Sequence, residues 1–418
     1  MRAESTGGPA TEVAAVVVGA GPAGLASAAC LKARGIQPLV LEAGLDLATS
    51  WRNHYLRLHL HTAKRHSSLP GLPFPDDVPV YPSRAQVVAY LEQYAAHFGI
   101  APRTAEPVRH VGVDGDLFAV DSTRTRYRAP IVVVATGHNR VPNPDRLPDQ
   151  ELFRGELLHA GRYRDGAPFA GRRVLVVGAG NTGAEIALDL VEHGATPTLS
   201  VRTPVNVVPR DFLGMPTQVT SIRMRKLPLA LADRIGRMVS RLAFGDLSRH
   251  GLLRPELGPL SSIKVRGRIP LIDVGTVAAI KRGQICVKPA LARLTETGAV
   301  FADGSAVEID AAILATGYRP GLADIVGVPG ALDDDGRPRD WKGGGAHPGL
   351  YFVGYEDVST GLLREIGLQA EAVAADVAVG YGALKSTAPP TRFQWAKGEA
   401  LERSSRIPCG APPLSNAR

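Results

Sequence analysis

The sequence predicts an α/β protein made of two dinucleotide-binding units of the Rossmann type, the second inserted into the first. Three observations carry this. Residues 13–42 read as strand, glycine turn, helix, strand and acid. Gly178, Gly180, Gly183 and Gly194 then repeat Gly19, Gly21, Gly24 and Gly35 at one constant offset of 159. The third is a pair of apolar runs that each stop on the same tripeptide, Ala135-Thr136-Gly137 and Ala315-Thr316-Gly317. Four glycines preserved in register, with matching strands before and helices after, mark an internal repeat rather than chance.

In the first unit the β-branched run Val16 to Val18 reads as a buried strand, and Pro38 to Leu41 as the next one. Between them lies the turn Gly19-Ala20-Gly21-Pro22-Ala23-Gly24. Gly19 makes the tight turn, Gly21 lets a pyrophosphate approach the backbone, and Gly24 lets helix and strand pack closely. The helix N-terminus offers free N–H groups and partial positive charge to the phosphates. Glu42 ends the second strand, where a carboxylate reaches a ribose diol.

A chain of 418 residues allows two or three domains, and 44% hydrophobic with 21% charged residues is an ordinary globular balance. No apolar run approaches the ~20 residues of a membrane helix, so no integral membrane segment is expected. The opening MRAESTGGPAT lacks the apolar core of a signal peptide, which makes the cytoplasm the expected address. Cys30, Cys286 and Cys409 lie far apart, so neither disulfide scaffolding, zinc nor a dithiol relay is expected. The net charge of +8 is taken as spread along the chain, a solvated basic surface that attracts phosphorylated cofactors and not nucleic acid.

Residues 1–12 read as a disordered lead-in. The loop-rich segment from Gly44 to Pro82 holds Trp51 and the histidines His54, His59, His61 and His66. With no carboxylate or cysteine at ligand spacing, these form a polar wall beside a cofactor, and no metal site is expected. Ser83 and Gln86 form a capping box, opening a helix with Val87, Val88, Leu91, Tyr94, Ala95 and Phe98 on one face. Residues 106–137 read as a strand meander closing on the buried strand Ile131 to Val134.

The two units differ at the acid. Position 201, the counterpart of Glu42, is Val201, and Arg202 follows it. An arginine without a competing carboxylate suits a ribose 2′-phosphate, so the second nucleotide is read as NADPH and the first as an NAD-like or FAD moiety. Residues 212–268 form a basic excursion in which Arg223, Arg225, Lys226, Arg234, Arg237 and Arg241 interleave with apolar residues. A membrane-touching amphipathic helix fits that pattern, and a helical lid or cross-domain brace fits it better. Asp303-Gly304 signals a hairpin, and residues 348–376 give a strand, Gly354, and a helix starting near Gly361. The expected domains are 13–155 and 311–383 for the first unit and 156–310 for the second, with a peripheral tail at 384–418.

With this layout in view, the sequence resembles the class B flavin-containing monooxygenases, and among them the plant indole-3-pyruvate monooxygenases of the YUCCA family and their bacterial relatives. The resemblance spans roughly residues 13–380. It rests on Phe153, Gly155, His159 and Tyr163 in an FxGxxxHxxxY pattern, and on GAGPAGLASAACLKARG, LPGLPFPDD, RRVLVVGAGNTGAEIALDL and ILATGYR. Two departures stand out. The family's LHLPK reads LHLHTAK here, and Arg364-Glu365 replaces small or apolar residues after Gly354.

The resemblance implies FAD on Gly19, Ala20, Gly21, Pro22, Ala23, Gly24 and Glu42, with Trp51, His61 and Thr62 flanking its ring. It implies NADPH on Gly178, Gly180, Asn181, Thr182, Gly183 and Arg202. Val108, Thr136, Gly137, Gly317 and Gly354 join the cofactor contacts. Gly354 and the helix after Gly361 are expected to point N–H groups at the flavin. His61, Thr62 and His159 are the expected catalytic residues, His159 coupling the linker to NADP⁺ retention. The implied activity is an NADPH-dependent FAD monooxygenase that forms a C4a-(hydro)peroxyflavin and, with O₂, oxygenates a small organic substrate. Oxidative decarboxylation of an aromatic 2-oxo acid leads; N-, S- or Baeyer–Villiger oxygenation and a non-catalytic flavin sensor are its rivals. A homodimer is compatible with this reading but not specified by it.

Overall fold

The computed structural model describes residues 10–143, 146–345 and 347–385. Its first sheet is wholly parallel, in the order Leu350–Phe352, Val132–Val134, Ala15–Val18 and Pro38–Leu41. Both faces of such a sheet must be covered, and the alternation of side chains along each strand shows how. Ala15, Val17 and Val133 point into a core shared with the helices Pro22–Ala33 and Leu362–Lys385. Val16, Val18, Val132 and Val134 point the other way, against Val111, Phe118, Val120 and Tyr127 of the antiparallel meander Val108–Asp114, Leu117–Ser122 and Arg126–Ala129. An unbroken valine run is what a strand buried on both faces requires; each such side chain contributes about 1.5–3 kcal/mol.

The second sheet is also parallel, in the order Cys286–Lys288, Thr196–Ser200, Arg173–Val177, Ala311–Leu314 and Glu156–His159. In sequence, every one of its strands falls between the third and fourth strands of the first sheet. The capping box forms as expected: Ser83 Oγ accepts from Gln86 N and Gln86 Oε1 from Ser83 N, opening the helix Arg84–His97. Tyr90 joins its buried face, and Val88 is only half-buried. The Asp303-Gly304 hairpin joins strands Gly298–Phe301 and Ala306–Glu308.

Four expectations need correcting. The strand Ala311–Leu314, assigned from sequence to the first unit, pairs with Val174–Val177 in the second sheet. Its Ala-Thr-Gly ending makes it the counterpart of Val132–Val134, so it completes its own unit, and the boundary moves past it. The lead-in does not extend to residue 12, because Thr11–Glu12 pairs with Tyr127–Arg128 at the meander edge; residues 1–9 lie outside the described residues. The last helix runs on to Lys385, two residues into the expected tail, whose remainder also lies outside the described residues.

The fourth correction concerns charge. The excursion 212–268 contains the helices Thr217–Met224, Leu229–Phe244 and Pro259–Arg266. It carries eleven Lys and Arg against three Asp and Glu, an excess of eight equal to that of the whole chain, 48 against 40. The net charge is concentrated here and not spread along the sequence.

Candidate active site

The two glycine turns are built alike. Gly19 (φ +108°) and Gly178 (φ +113°) occupy backbone space closed to other residues, and a Cβ on either would lie 2.5 Å from the carbonyl oxygen of Ala135 or Ala315. A Cβ on Gly24 or Gly183 would collide with the carbonyl oxygen of Gly19 or Gly178 at 1.8 or 1.9 Å. Gly21 and Gly180 are different: a Cβ on either meets no atom within 4 Å. Each stands at the N-terminus of a twelve-residue helix, Pro22–Ala33 or Asn181–Glu192, that has no side-chain cap. Open space above uncapped N–H groups fits a pyrophosphate in both units.

Glu42 is buried at the end of its strand, its two oxygens accepting from Ala20 N at 2.7 Å and Gly44 N at 2.8 Å. The carboxylate therefore fixes the glycine turn. Arg202 is exposed just beyond strand Thr196–Ser200. Thr136 is held through both its N–H and its hydroxyl by the Tyr355 hydroxyl, each at 2.9 Å. Burial pushes the Tyr355 phenol up to about 12, so it stays protonated at working pH. Gly354 N–H donates to Gln369 Oε1 at 2.9 Å, so it is not aimed at a flavin as expected. At the start of the last helix, Gly361 and Leu362 border the cavity described next.

That cavity, of about 540 Å³, brings together His61 and Thr62 of the first unit, Gly180, Asn181 and Thr182 of the second, and Gly317. The helical excursion supplies an apolar wall that includes Met224, Val239, Leu260 and Ile263. Trp51 lies instead on the short helix Thr49–Arg52, packed against the first core, and Val108 starts the meander. Asn181 reaches outward from its helix to Ile272 N (2.7 Å) and Pro270 O (3.3 Å), fixing the strand behind the wall.

Three polar groups tie the elements around this cavity together, and two of them, Glu185 and Gln218, the sequence reading missed. Glu185, buried on the second glycine-turn helix, meets His61 Nε2 at 2.6 Å and accepts from the Tyr55 hydroxyl at 3.1 Å. Burial and the facing carboxylate push the Tyr55 phenol well up. Gln218 is buried on Thr217–Met224; its Oε1 accepts from Ala63 N at 2.9 Å and its Nε2 donates to Thr360 O at 2.7 Å. Glu365 accepts from Thr360 Oγ1 (2.5 Å) and Arg364 (2.6 Å) and pairs with Arg225 (3.3 Å). Thr62 has its hydroxyl 2.8 Å from Ser67 Oγ.

The FxGxxxHxxxY pattern has a packing basis. A Cβ on Gly155 would strike Phe153 Cζ at 2.3 Å and the Asp310 carbonyl at 2.6 Å. His159 Nδ1 accepts from Gly161 N at 3.1 Å, capping the turn Ala160–Arg162, and its ring stands edge-on to Tyr318 at 5.0 Å. Tyr163 donates to buried Asp189 at 2.6 Å, and burial raises the pKa of both.

Two glycine turns built alike, each opening an uncapped helix, with a cavity at the second of them, fit an oxidoreductase with two nucleotide sites. Residues 16–211 match the pyridine nucleotide-disulphide oxidoreductase family. The chain is 42% identical over 361 residues to indole-3-pyruvate monooxygenase YUCCA1 of Oryza sativa subsp. japonica, covering 82% of this chain and 86% of that protein. It is 40% identical over 351 residues to the probable indole-3-pyruvate monooxygenase YUCCA1 of Arabidopsis thaliana, covering 81% and 84%. Among solved structures, a double mutant of a flavin monooxygenase from Stenotrophomonas maltophilia superposes with a TM-score of 0.68 at 25% identity, covering 88% of this chain and 99% of that one. The chain belongs to the YUCCA family of flavin monooxygenases, and it is an enzyme that uses FAD and NADPH.

Proposed function

We propose that this enzyme oxygenates a small aromatic 2-oxo acid, indole-3-pyruvate being the first to test, by oxidative decarboxylation. The reaction balances as 2-oxo acid, O₂, NADPH and a proton giving the shortened carboxylic acid, CO₂, water and NADP⁺. The single observation that carries the reading is the cavity of about 540 Å³ shared by loop 61–62, the Gly180–Thr182 turn and the helical excursion. Relatives at about 40% identity bear the indole-3-pyruvate name. Apolar side chains of this wall suit an indole, and His61 and His138 stand among them as polar groups that can meet a substrate carboxylate.

In this reading the first sheet and its meander form an FAD domain, residues 13–155 and 315–383, interrupted by an NADPH domain at 156–314. Gly19 to Gly24, Glu42, Thr136 and Gly137 hold FAD, and Gly178 to Gly183 with Arg202 hold NADPH. When bound, the two cofactors supply hydride transfer and oxygen activation. The chain supplies position and dryness. Met224, Val239, Leu260 and Ile263 exclude water from the reacting groups. Glu185, 2.6 Å from His61 Nε2, fixes the orientation of that ring in the cavity wall. Gln218 keeps loop 61–63, the excursion and Thr360 in one arrangement.

The test is a coupled assay on purified protein. NADPH bleaches the bound flavin under nitrogen, and on admission of air indole-3-pyruvate is converted to indole-3-acetate with one CO₂ per NADPH. Uncoupled NADPH oxidation with every 2-oxo acid, together with oxygenation of an amine or thioether, overturns the substrate assignment and leaves the monooxygenase intact.

A further inference from the structure

Apart from Phe244 at its end, which joins the second core, the helix Leu229–Phe244 buries small side chains along its length and turns three large apolar ones to solvent. Ala232, Gly236 and Ser240 form the buried stripe, and a Cβ on Gly236 would already stand 2.7 Å from Pro259 Cγ. Leu231, Met238 and Leu242 share the opposite face and are 45%, 54% and 68% exposed. Arg234, Arg237 and Arg241 run along the adjoining stripe, all exposed. A helix stabilised by its own core alone places its large apolar residues inward. The pattern extends beyond this helix: eight of the seventeen exposed large apolar side chains among the described residues fall within 212–268.

The segment's acids do not neutralise the arginine stripe. Asp233 is buried and caps the helix Pro259–Arg266, accepting from Leu260 N at 2.8 Å and Ser261 N at 3.2 Å. Asp246 accepts from Ser248 and pairs with Arg249. Arg237 donates to the backbone carbonyl of Glu256, not to its carboxylate.

We propose that this face docks on an anionic lipid bilayer, the helix lying in the headgroup plane with Leu231, Met238 and Leu242 in the acyl boundary. The arginines meet lipid phosphates while their stems lie along the apolar surface. Charge complementarity selects the occupant. A second copy related by a two-fold axis sets arginine stripe against arginine stripe, and a nucleic acid uses the arginines but leaves the three apolar side chains wet. Docking is peripheral; among the described residues no helix is long and apolar enough to cross a membrane. The inner side of the same helix, at Gly236 and Val239, borders the active-site cavity. Docking therefore sets that cavity beside the phase into which apolar substrates partition.

The experiment is co-sedimentation of the full-length, flavin-loaded enzyme with phosphatidylcholine vesicles, with and without phosphatidylglycerol. The enzyme is expected to pellet with the anionic vesicles only, and less so as salt rises. Leu231→Ser, Met238→Ser and Leu242→Ser combined lower the partition coefficient roughly tenfold or more, and Arg234→Gln, Arg237→Gln and Arg241→Gln combined on the order of a hundredfold. Both variants keep the wild-type rate of NADPH oxidation, which shows that they fold. No pelleting with anionic vesicles overturns the proposal. So does equal binding by the serine variant, which marks a purely electrostatic surface, or a dimer that the serine variant turns into monomer, which marks a second copy as the occupant.

Discussion

His61 Nε2 lies 2.6 Å from Glu185 Oε1 across 124 positions of sequence, joining the loop of the first unit to the glycine-turn helix of the second. Glu185 is 3% exposed and also takes the Tyr55 hydroxyl. Glu185→Ala leaves both donors unmet in a buried site and is expected to cost about 1–3 kcal/mol, with Glu185→Gln costing less because an acceptor remains. Denaturant unfolding measures the difference. In the double variant with His61→Gln the two losses fail to add, which identifies the pair as a unit. Additive losses exclude it.

Gln218 is the clasp between the helical excursion and the flavin-side loops. Gln218→Ala strands Ala63 N–H and the Thr360 carbonyl, and unfolding free energy is expected to fall by about 1–3 kcal/mol. Coupling drops with it: NADPH oxidation persists while the yield of oxygenated product per NADPH falls, read by oxygen uptake against product. Unchanged coupling shows that the clasp contributes stability alone.

The second glycine turn separates folding from binding. Gly183→Ala places a Cβ 1.9 Å from the Gly178 carbonyl oxygen and is expected to destabilise the fold, seen as a lowered Tm. Gly180→Ala places one where no atom lies within 4 Å, so Tm stays near wild type and FAD remains bound. NADPH affinity, measured by titration of flavin reduction, falls tenfold or more on the order of one lost phosphate contact. A normal affinity in Gly180→Ala removes that turn from the cofactor site.

Local signals were the ones legible in sequence. Ser83 and Gln86 lie three residues apart, so their reciprocal caps follow from spacing alone. Gly19 and Gly178 were readable because a positive φ beside a carbonyl admits no other residue. Glu185, Gln218 and Tyr355 were not, because their partners lie more than a hundred residues away, and for Glu185 and Gln218 also because a polar side chain within a helical pattern looks solvated. Ala311–Leu314 read correctly as a strand, but an apolar run ending in Ala-Thr-Gly suits either sheet, and its neighbour is set by tertiary pairing. The inverted face of Leu229–Phe244 was hidden for a related reason: periodicity tells that faces differ, not which one meets the protein.

Arg202 stands one residue past the counterpart of the first unit's acid, exposed just beyond a strand end. Arg202→Gln is expected to raise the KM for NADPH by tenfold or more, the worth of a charge-assisted phosphate contact, and to leave the KM for NADH unchanged. Steady-state kinetics with both nucleotides decide it; equal effects on the two assign Arg202 to the surface.

His54 gives the stability a pH dependence. Its pKa lies below the ordinary value of 6.5, first because burial disfavours the cation, then because Arg164 and Arg84 face it; Glu185 pulls the other way and Trp51 and Tyr55 pack edge-on to the ring. The folded chain therefore refuses a proton that the unfolded chain accepts. This contribution is complete above pH 6.5 and is lost as pH falls through 6.5 toward the depressed folded value. His66 is shifted in the same direction, by burial and by Arg65 and Arg364, so two histidines share the slope. Tm is expected to fall between pH 7.5 and pH 5.5, and to fall less in His54→Gln, whose side chain takes up no proton in either state. Identical slopes in wild type and variant return the effect to other groups.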